Sequence, residues 1–485
     1  MTQTVSYISL SELLSQNRAP ESIVCFDDNS EITWQTFNDD LSQLVNLLSS
    51  SHFQRVAICT QDSCLFSVAF LACAVSKKHI ILPGNYQPCA LAELSEHFDC
   101  LLVDDSIGTV EVSEVCNIQT ILNSKRSNTE TPTLLVNDLA AIELAVIDPV
   151  SIDLASIDLD SIDLAAIHLT LFTSGSSGTP KAIDKTLEHL DIEIAQLDKN
   201  WGDLLKGNRV HSTVSHQHIY GLLFRILWPL CSGVPFARHN LEYPEQILSH
   251  ANKQSVLISS PALLKRLKHE TKPAQLAGVF SSGGPLPTES AHQALNLLGH
   301  LPIEVFGSTE TGGIAFRQQE SAQTPWQLFD CIEASLNSEN CIKLLSPYID
   351  KNNWYQTADE CEMVSSNQFI LKGRTDRVIK IEEKRVSLVE VEKRLEQLPW
   401  ISECVVIPFE EPERLILASV LVLSDQGQAK LATMSKGKFW LMLRSELRKW
   451  LEPIAIPRKY RVVDEIPLNS QGKRLTSHIE QLVKS

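Results

Sequence analysis

The chain is predicted to fold as an α/β protein, with a large N-terminal domain of mixed and parallel sheets flanked by helices and a small α+β C-terminal domain. Three observations carry that prediction. A length of 485 residues exceeds what one ordinary core organises, so a large body with a smaller companion is expected. Apolar strand-like segments alternate with helix-like ones along most of the chain, the pattern of βαβ units around a largely parallel sheet. Near Gly373 the texture changes to a compact α+β pattern of about a hundred residues, the usual scale of a small domain.

In chain order, residues 34–48 and 65–75 read as helices, and 55–60 and 79–83 as strands. Further apolar strands are expected at 255–259, 276–282 and 302–307, each ending in Gly, Ser or Pro, and α/β proteins build their sites on the loops at such strand ends. Beyond the change of texture come a strand at 376–381, a charged helix at 388–398 and strands at 403–409 and 415–423. An amphipathic helix at 438–451 and a last strand from Tyr460 complete the pattern. The boundary is placed at Asp376, giving domains 1–375 and 376–485.

One stretch fits neither texture. Ser151-IDLA, Ser156-IDLD and Ser161-IDLA repeat as pentapeptides, with weaker echoes at Ala141-IELA and Val146-IDPV. So short a run makes little more than one coil of a β-helix, too little to be stable alone. Residues 141–168 therefore read as a duplicated, solvent-exposed insertion, with an interaction role as the alternative.

A hydrophobic content of 43% with 21% charged residues is that of a soluble globular protein. The formal net charge of −17 argues against a nucleic-acid binder, since phosphate contacts need clustered Lys and Arg. The 12 cysteines form no C-x-x-C pair and have no His at zinc-ligand spacing, so reduced and mostly buried thiols are expected. The N-terminus lacks a basic region followed by an apolar core and a cleavage site. The longest apolar run, Cys64 to Val75, falls short of the roughly 20 residues that span a bilayer. A cytoplasmic protein without a membrane span is expected.

The strongest single feature is Leu169-TLFTSGSSGTPKAI, an apolar strand running into Thr173, Ser174, Gly175, Ser176, Ser177, Gly178 and Thr179, then Pro180 and Lys181. Glycines let backbone pass close to a ligand, while clustered hydroxyls and unpaired N–H groups offer donors to phosphate oxygens. It is a phosphate loop by composition but not a Walker A loop, which needs four residues between Gly and Gly-Lys. A flexible Ser/Gly linker would not be preceded by a buried strand.

At this loop the chain resembles the acyl-adenylate-forming superfamily, which includes acyl-CoA synthetases, aryl-CoA ligases, luciferases and peptide-synthetase adenylation domains. Thr173 to Lys181 match the family's T-S-G-[ST]-[ST]-G-x-P-K pattern at every position. The resemblance recurs in order at Phe306-GSTE, Tyr355-QTAD, Gly373-RTD and Pro467-LNSQGK, and more loosely at Ile32-TWQTF and around Pro83, so it covers essentially the whole chain.

The resemblance implies two half-reactions. A carboxylic acid and Mg·ATP give acyl-AMP and pyrophosphate, and a thiol then displaces AMP. Phe306, beside Gly307 and Ser308, offers a flat face for adenine, and Gly283 and Gly284 allow backbone to approach the purine edge. Thr309 is placed to donate to the α-phosphate, and Glu310 is a hard oxygen ligand for Mg²⁺. Asp359 accepts from the ribose hydroxyls and Arg374 reaches ribose or phosphate as a planar fork. Lys473 is a mobile point charge that neutralises the anion developing as carboxylate meets α-phosphorus. His218, Tyr220 and Gly221 line the acyl pocket, a better reading than a metal site built from His211, His216 and His218. The small domain is implied to swing about Asp376, withdrawing Lys473 and presenting another face for thiol attack.

Two departures stand out. Ala358 replaces the usual Gly beside Asp359, and Glu383 stands where the family usually has Gly beside the phosphopantetheine path. A charged residue there points to an acceptor presented differently from free CoA. The run IEEKRVSLVEVE also resembles stand-alone ligases of bacterial aryl-polyene and fatty-acid-like pigment clusters, which implies an aryl or fatty acid as substrate and an acyl carrier protein, or CoA, as acceptor. A non-catalytic AMP-binding scaffold and another user of acyl-AMP, such as a luciferase-like oxygenase, are the alternatives.

Overall fold

The computed structural model describes residues 7–15, 18–84, 88–112, 114–126, 162–174, 180–250, 252–267, 273–374, 377–381, 384–411, 414–449, 451, 453–468 and 474–484. They form two compact units, one drawn from 1–175, 179–332 and 345–353, the other from 176–178, 333–344 and 354–485.

The first unit is the predicted α/β body, with two sheets. In one, the strand order is Val115–Asn117, Cys100–Val103, Arg55–Cys59, His79–Leu82, His168–Ser174 and Pro180–Thr186. All neighbours are parallel until the last two, which form an antiparallel hairpin. In the other, Arg209–Ser212, Ser255–Ser259, Gly278–Ser281 and Ile303–Ser308 run parallel, and Gly312–Gln318 turns back antiparallel beside the last of them. The strands with closing Ser or Gly thus deliver Ser259, Ser281 and Ser308 to the same end of this sheet.

Helix boundaries follow capping chemistry. Trp34–Ser50 starts where the Thr33 side chain accepts the Thr36 N–H, and its apolar positions Phe37, Leu41, Leu44, Val45 and Leu48 form one buried stripe. Ser63–Val75 begins two residues before the expected helix at 65–75, because Asp62 accepts the N–H groups of Cys64 and Leu65. Every residue of that helix is buried. Each large apolar side chain so buried contributes about 1.5–3 kcal/mol relative to exposure. The apolar run is thus an internal helix; no helix among the described residues is long and apolar enough to cross a membrane.

The expectation of reduced thiols throughout needs one correction: Cys25 and Cys64 form a disulfide, with Cα atoms 6.2 Å apart. The strand Ile23–Phe26 and the N-terminus of the internal helix bring them together across 39 residues, a tertiary proximity that cysteine spacing does not encode. Cys59, Cys73, Cys100, Cys116, Cys231, Cys341, Cys361 and Cys404 are buried and not disulfide-bonded, and Cys331 is half-buried.

Within the second unit, Val378–Ile381 pairs with Lys384–Ser387, and Ile401–Glu411 with Arg414–Leu423, which Lys459–Val462 joins in parallel. Helices Leu388–Glu396 and Lys436–Leu447 close its core with Val391, Leu395, Phe439, Leu443 and Leu447. The second of these helices starts earlier and stops earlier than expected, since Ser435 caps it by accepting the Lys438 N–H. A further helix, Asp425–Thr433, went unforeseen although Ser424 caps it in the same way. The unit also takes in Asp350–Ser365 and Gln368–Arg374 over their residues from 354 onward, upstream of Asp376, which lies outside the described residues.

The pentapeptide copies at 141–160 also lie outside the described residues. The end of that segment is packed rather than exposed: Ile162, Leu164 and Ile167 are buried, and Asp163 caps the short turn Leu164–Ala166 that leads into the strand His168–Ser174.

Candidate active site

The residues that flank the phosphate-loop segment form an antiparallel hairpin. Strand His168–Ser174 pairs with Pro180–Thr186, with Thr173 opposite Lys181 and Ser174 opposite Pro180, while Gly175 to Thr179 lie outside the described residues. Thr173 Oγ1 lies 3.5 Å from the Lys181 carbonyl, a marginal contact. Lys181 Nζ donates to Glu310 Oε1 at 2.8 Å, so two separately predicted motifs meet in space.

Glu310 sits on the turn between the antiparallel strands Ile303–Ser308 and Gly312–Gln318. That turn is tight: a Cβ on Gly307 would come within 2.1 Å of the Gly312 carbonyl oxygen, so only glycine fits at that motif position. Ser308 N–H donates to Thr311 Oγ1 at 3.0 Å, and Thr309 is buried. Burial pushes the Glu310 carboxyl upward, but the hydrogen bond and charge of Lys181 outweigh it and hold the group below the usual carboxylate range. Phe306 packs its ring against Trp326, centroids 5.4 Å apart, and Arg317 covers Trp326. At Gly283 and Gly284, after the strand Gly278–Ser281, a Cβ would meet nothing within 4 Å, so the backbone there faces open space.

Two buried charged residues stand behind this turn, and motif matching missed both. Lys185, on the same strand face as Lys181, donates to the carbonyls of Glu310 at 3.2 Å and Tyr348 at 3.0 Å. Glu193 Oε1 accepts the Gly313 N–H at 2.6 Å. Burial lifts the Glu193 carboxyl to about 6, the Lys185 charge and the Gly313 bond pulling the other way. Periodicity held a signal for Glu193: with Leu190, Ile194 and Leu197 it falls on the buried stripe of helix Leu187–Leu205, where a carboxylate is out of place.

His218 precedes the turn Ile219–Gly221 at its N-cap position without a side-chain capping bond, and its Cε1 lies 3.4 Å from where a Cβ on Gly84 would stand, beside the Phe172 carbonyl. It therefore flanks the strand that feeds the phosphate loop. The Tyr220 ring packs tilted against Phe224, centroids 4.8 Å apart, with its hydroxyl buried beside the Ser259 backbone. Gly221 passes so close to the Ser215 carbonyl that a Cβ would stand 2.1 Å away, giving it a packing reason of its own. His216 is held between Ser63 Oγ and the Thr60 carbonyl, while His211 packs on Phe26 and His250, so these two imidazoles serve the core.

In the second unit, Asp359 and Arg374 are cross-strand partners, Asp350–Ser365 pairing with Gln368–Arg374. Asp359 is buried, its N–H donating to Thr357 Oγ1 at 3.1 Å. Ala358 has no positive φ, so the replacement of Gly is accommodated in extended backbone. Lys473 and Glu383 lie outside the described residues. The chain before and after Lys473 is tied by a bridge between Leu468 and Arg474, and Arg474 lies 3.5 Å from Glu392, which also takes the two-pronged Arg377.

The model of the AMP-binding enzyme family matches residues 14–338, and that of the AMP-binding enzyme C-terminal domain matches 390–473. The chain belongs to the AMP-binding enzyme family. It is similar to 4-coumarate–CoA ligase of Rhodobacter capsulatus, 28% identical over 306 residues, covering 62% of this chain and 73% of that protein. It is also similar to the mitochondrial malonate–CoA ligase of Bos taurus, 22% identical over 379 residues, covering 63% of this chain and 62% of that one. Among solved structures, ATP-bound MatB from Rhodopseudomonas palustris superposes with a TM-score of 0.73 at 16% identity, covering 97% of each chain. O-succinylbenzoate coenzyme A synthetase from Bacillus subtilis in complex with AMP does so at 0.72 and 18%, again covering 97% of each. The α/β fold with a small α+β C-terminal part is thereby shared.

Proposed function

We propose that this protein joins a carboxylic acid to AMP at the expense of ATP and passes the acyl group to a phosphopantetheine thiol. In the first half-reaction a carboxylate oxygen attacks the α-phosphorus and pyrophosphate leaves. In the second the thiol sulfur attacks the acyl carbon, the thiol proton is lost and AMP departs. The observation that carries the reading is the meeting of Lys181 and Glu310, which joins a phosphate-binding hairpin to an ionised oxygen ligand.

Within this reading, Thr173, Ser174, Gly175, Ser176, Ser177, Gly178, Thr179 and Lys181 bind the phosphates. Phe306, Gly283 and Gly284 hold adenine, with Gly307 and Ser308 shaping the turn and Thr309 donating to the α-phosphate. Asp359 and Arg374 take the ribose. The donor set suits Mg²⁺, which binds through one or two carboxylates and completes its shell with substrate phosphates and water. Glu310 is one such carboxylate, ionised and partly solvent-facing. When bound, the ion supplies positive charge to the departing pyrophosphate. Lys473 then acts on the charge that develops between the two anions, and a swing about Asp376 withdraws it for thiolation.

The relatives are CoA ligases of hydroxycinnamate, malonate and benzoate type, which supports a small organic acid. The finer reading is a stand-alone ligase of the pigment-cluster kind, working in the cytoplasm on an aryl or fatty acid, with a carrier protein as acceptor in preference to CoA. Its motivation is Glu383 in place of Gly on the thiol path. ATP–pyrophosphate exchange across a panel of aryl and fatty acids tests the first half-reaction. Exchange dependent on at least one acid is expected, and its absence with every acid would favour an AMP-binding scaffold.

A further inference from the structure

The turn that carries Glu310 is gripped from its buried side. Lys181 and Lys185 lie on one face of the strand Pro180–Thr186, and both reach the same residue: Lys181 takes the Glu310 carboxylate and Lys185 takes its main-chain carbonyl. Lys185 divides its ammonium between that carbonyl and Tyr348, whose ring is itself buried with its hydroxyl on Cys331. Three residues beyond Glu310, Gly313 donates its N–H to Glu193 at 2.6 Å. Between them, Gly312 adopts φ +66°, and a Cβ there would stand 2.6 Å from Glu193 Oε2. The turn is therefore bonded at one end by a buried cation and at the other by a buried carboxylate. A purely apolar core would fill this space without the cost of burying charge, so these residues need a reason beyond packing.

We propose that Lys185 and Glu193 are positioning residues for Glu310, fixing the turn so that its carboxylate meets the metal on ATP in one orientation. The inference rests on the adenylation reading above, since only there does the aim of Glu310 matter. Neither residue touches substrate. Lys185 sets the height of Glu310 through its carbonyl, and Glu193 sets the twist of the strand that leaves the turn.

The test is calorimetric titration of ATP with and without Mg²⁺ into the full chain and its Lys185→Met, Glu193→Leu and Glu193→Gln variants. Partners behind a metal ligand are worth about 10- to 100-fold in metal affinity or activity, so Lys185→Met and Glu193→Leu should weaken Mg·ATP binding by at least about tenfold while changing metal-free ATP binding less than about twofold. Glu193→Gln keeps an acceptor for Gly313 and should recover most of the loss. Equal losses with and without Mg²⁺, or none, would overturn the proposal and leave a structural pair. Should Lys185→Met not fold, the two Glu193 variants carry the same comparison. Failure of the unaltered protein to bind Mg·ATP at all would instead sink the adenylation reading itself.

Discussion

Lys181 and Glu310, 129 residues apart, are joined by a 2.8 Å charge-assisted hydrogen bond. The lysine is 55% exposed and the glutamate 27%, so the bridge is worth no more than about 1 kcal/mol and gives way readily to stronger partners. Metal-bound triphosphate offers both at once: phosphate oxygens for Lys181 and a cation for Glu310. The bridge pre-sets two groups whose separate tasks begin when nucleotide arrives.

Glu310→Gln keeps the size of the side chain and removes its charge. Adenylation should slow by about a hundredfold, the scale of losing one preorganised electrostatic contact, and raising Mg²⁺ should recover part of it. Pre-steady-state release of pyrophosphate measures this, and an unchanged rate at low Mg²⁺ would remove Glu310 from the metal site.

Lys473→Ala should leave ATP binding nearly intact but slow acyl-AMP formation by at least about a hundredfold. Thioester formation from preformed acyl-AMP should be nearly unaffected. The opposite pattern, with the second step lost and the first kept, would reverse the assignment of half-reactions.

How much of this was legible in the sequence depends on how local each cause is. The phosphate-loop hairpin was legible because an apolar, continuously buried strand runs into a cluster of glycines and hydroxyls. Asp359 and Arg374 were named from motifs, and the hairpin between their strands makes them cross-strand partners. The bonds of Lys185 and Glu193 were not found, because their partners are main-chain groups of a turn over a hundred residues away, although the place of Glu193 on a buried helical stripe was there to be read. The Cys25–Cys64 pair, 39 residues apart, was missed because cysteine spacing alone does not encode tertiary proximity. The early start of helix Ser63–Val75 was missed through attention to its apolar run, although Asp62 was there to be read as a cap.

The acceptor should be a carrier-protein phosphopantetheine more readily than free CoA. Free CoA carries phosphates that need basic partners, and the adjacent Glu382 and Glu383 repel them. Lys384, Arg385 and Lys393 would supply the attraction for an acidic carrier. With an accepted acid and both acceptors at equal concentration, the carrier should be acylated faster, and Glu383→Gly should raise CoA use. Faster CoA acylation by the unaltered enzyme would overturn the preference.

Removing residues 151–160 should cost little stability, because loop-closure entropy changes slowly with length, by only about 0.6 kcal/mol for a twofold change. Removing 162–167 should cost far more, since Ile162, Leu164 and Ile167 are buried. Melting temperatures of the two deletions make the comparison, and a large drop for the first would show that the repeat is packed structure.

The central claim, that the acid is activated as an acyl adenylate, is tested most directly by isotope. With an accepted acid labelled with ¹⁸O in both carboxylate oxygens, the oxygen that attacks the α-phosphorus stays on phosphorus when the thiol displaces AMP. Mass spectrometry should find one ¹⁸O in the released AMP and the other in the thioester. Unlabelled AMP, or label appearing in inorganic phosphate, would contradict the account.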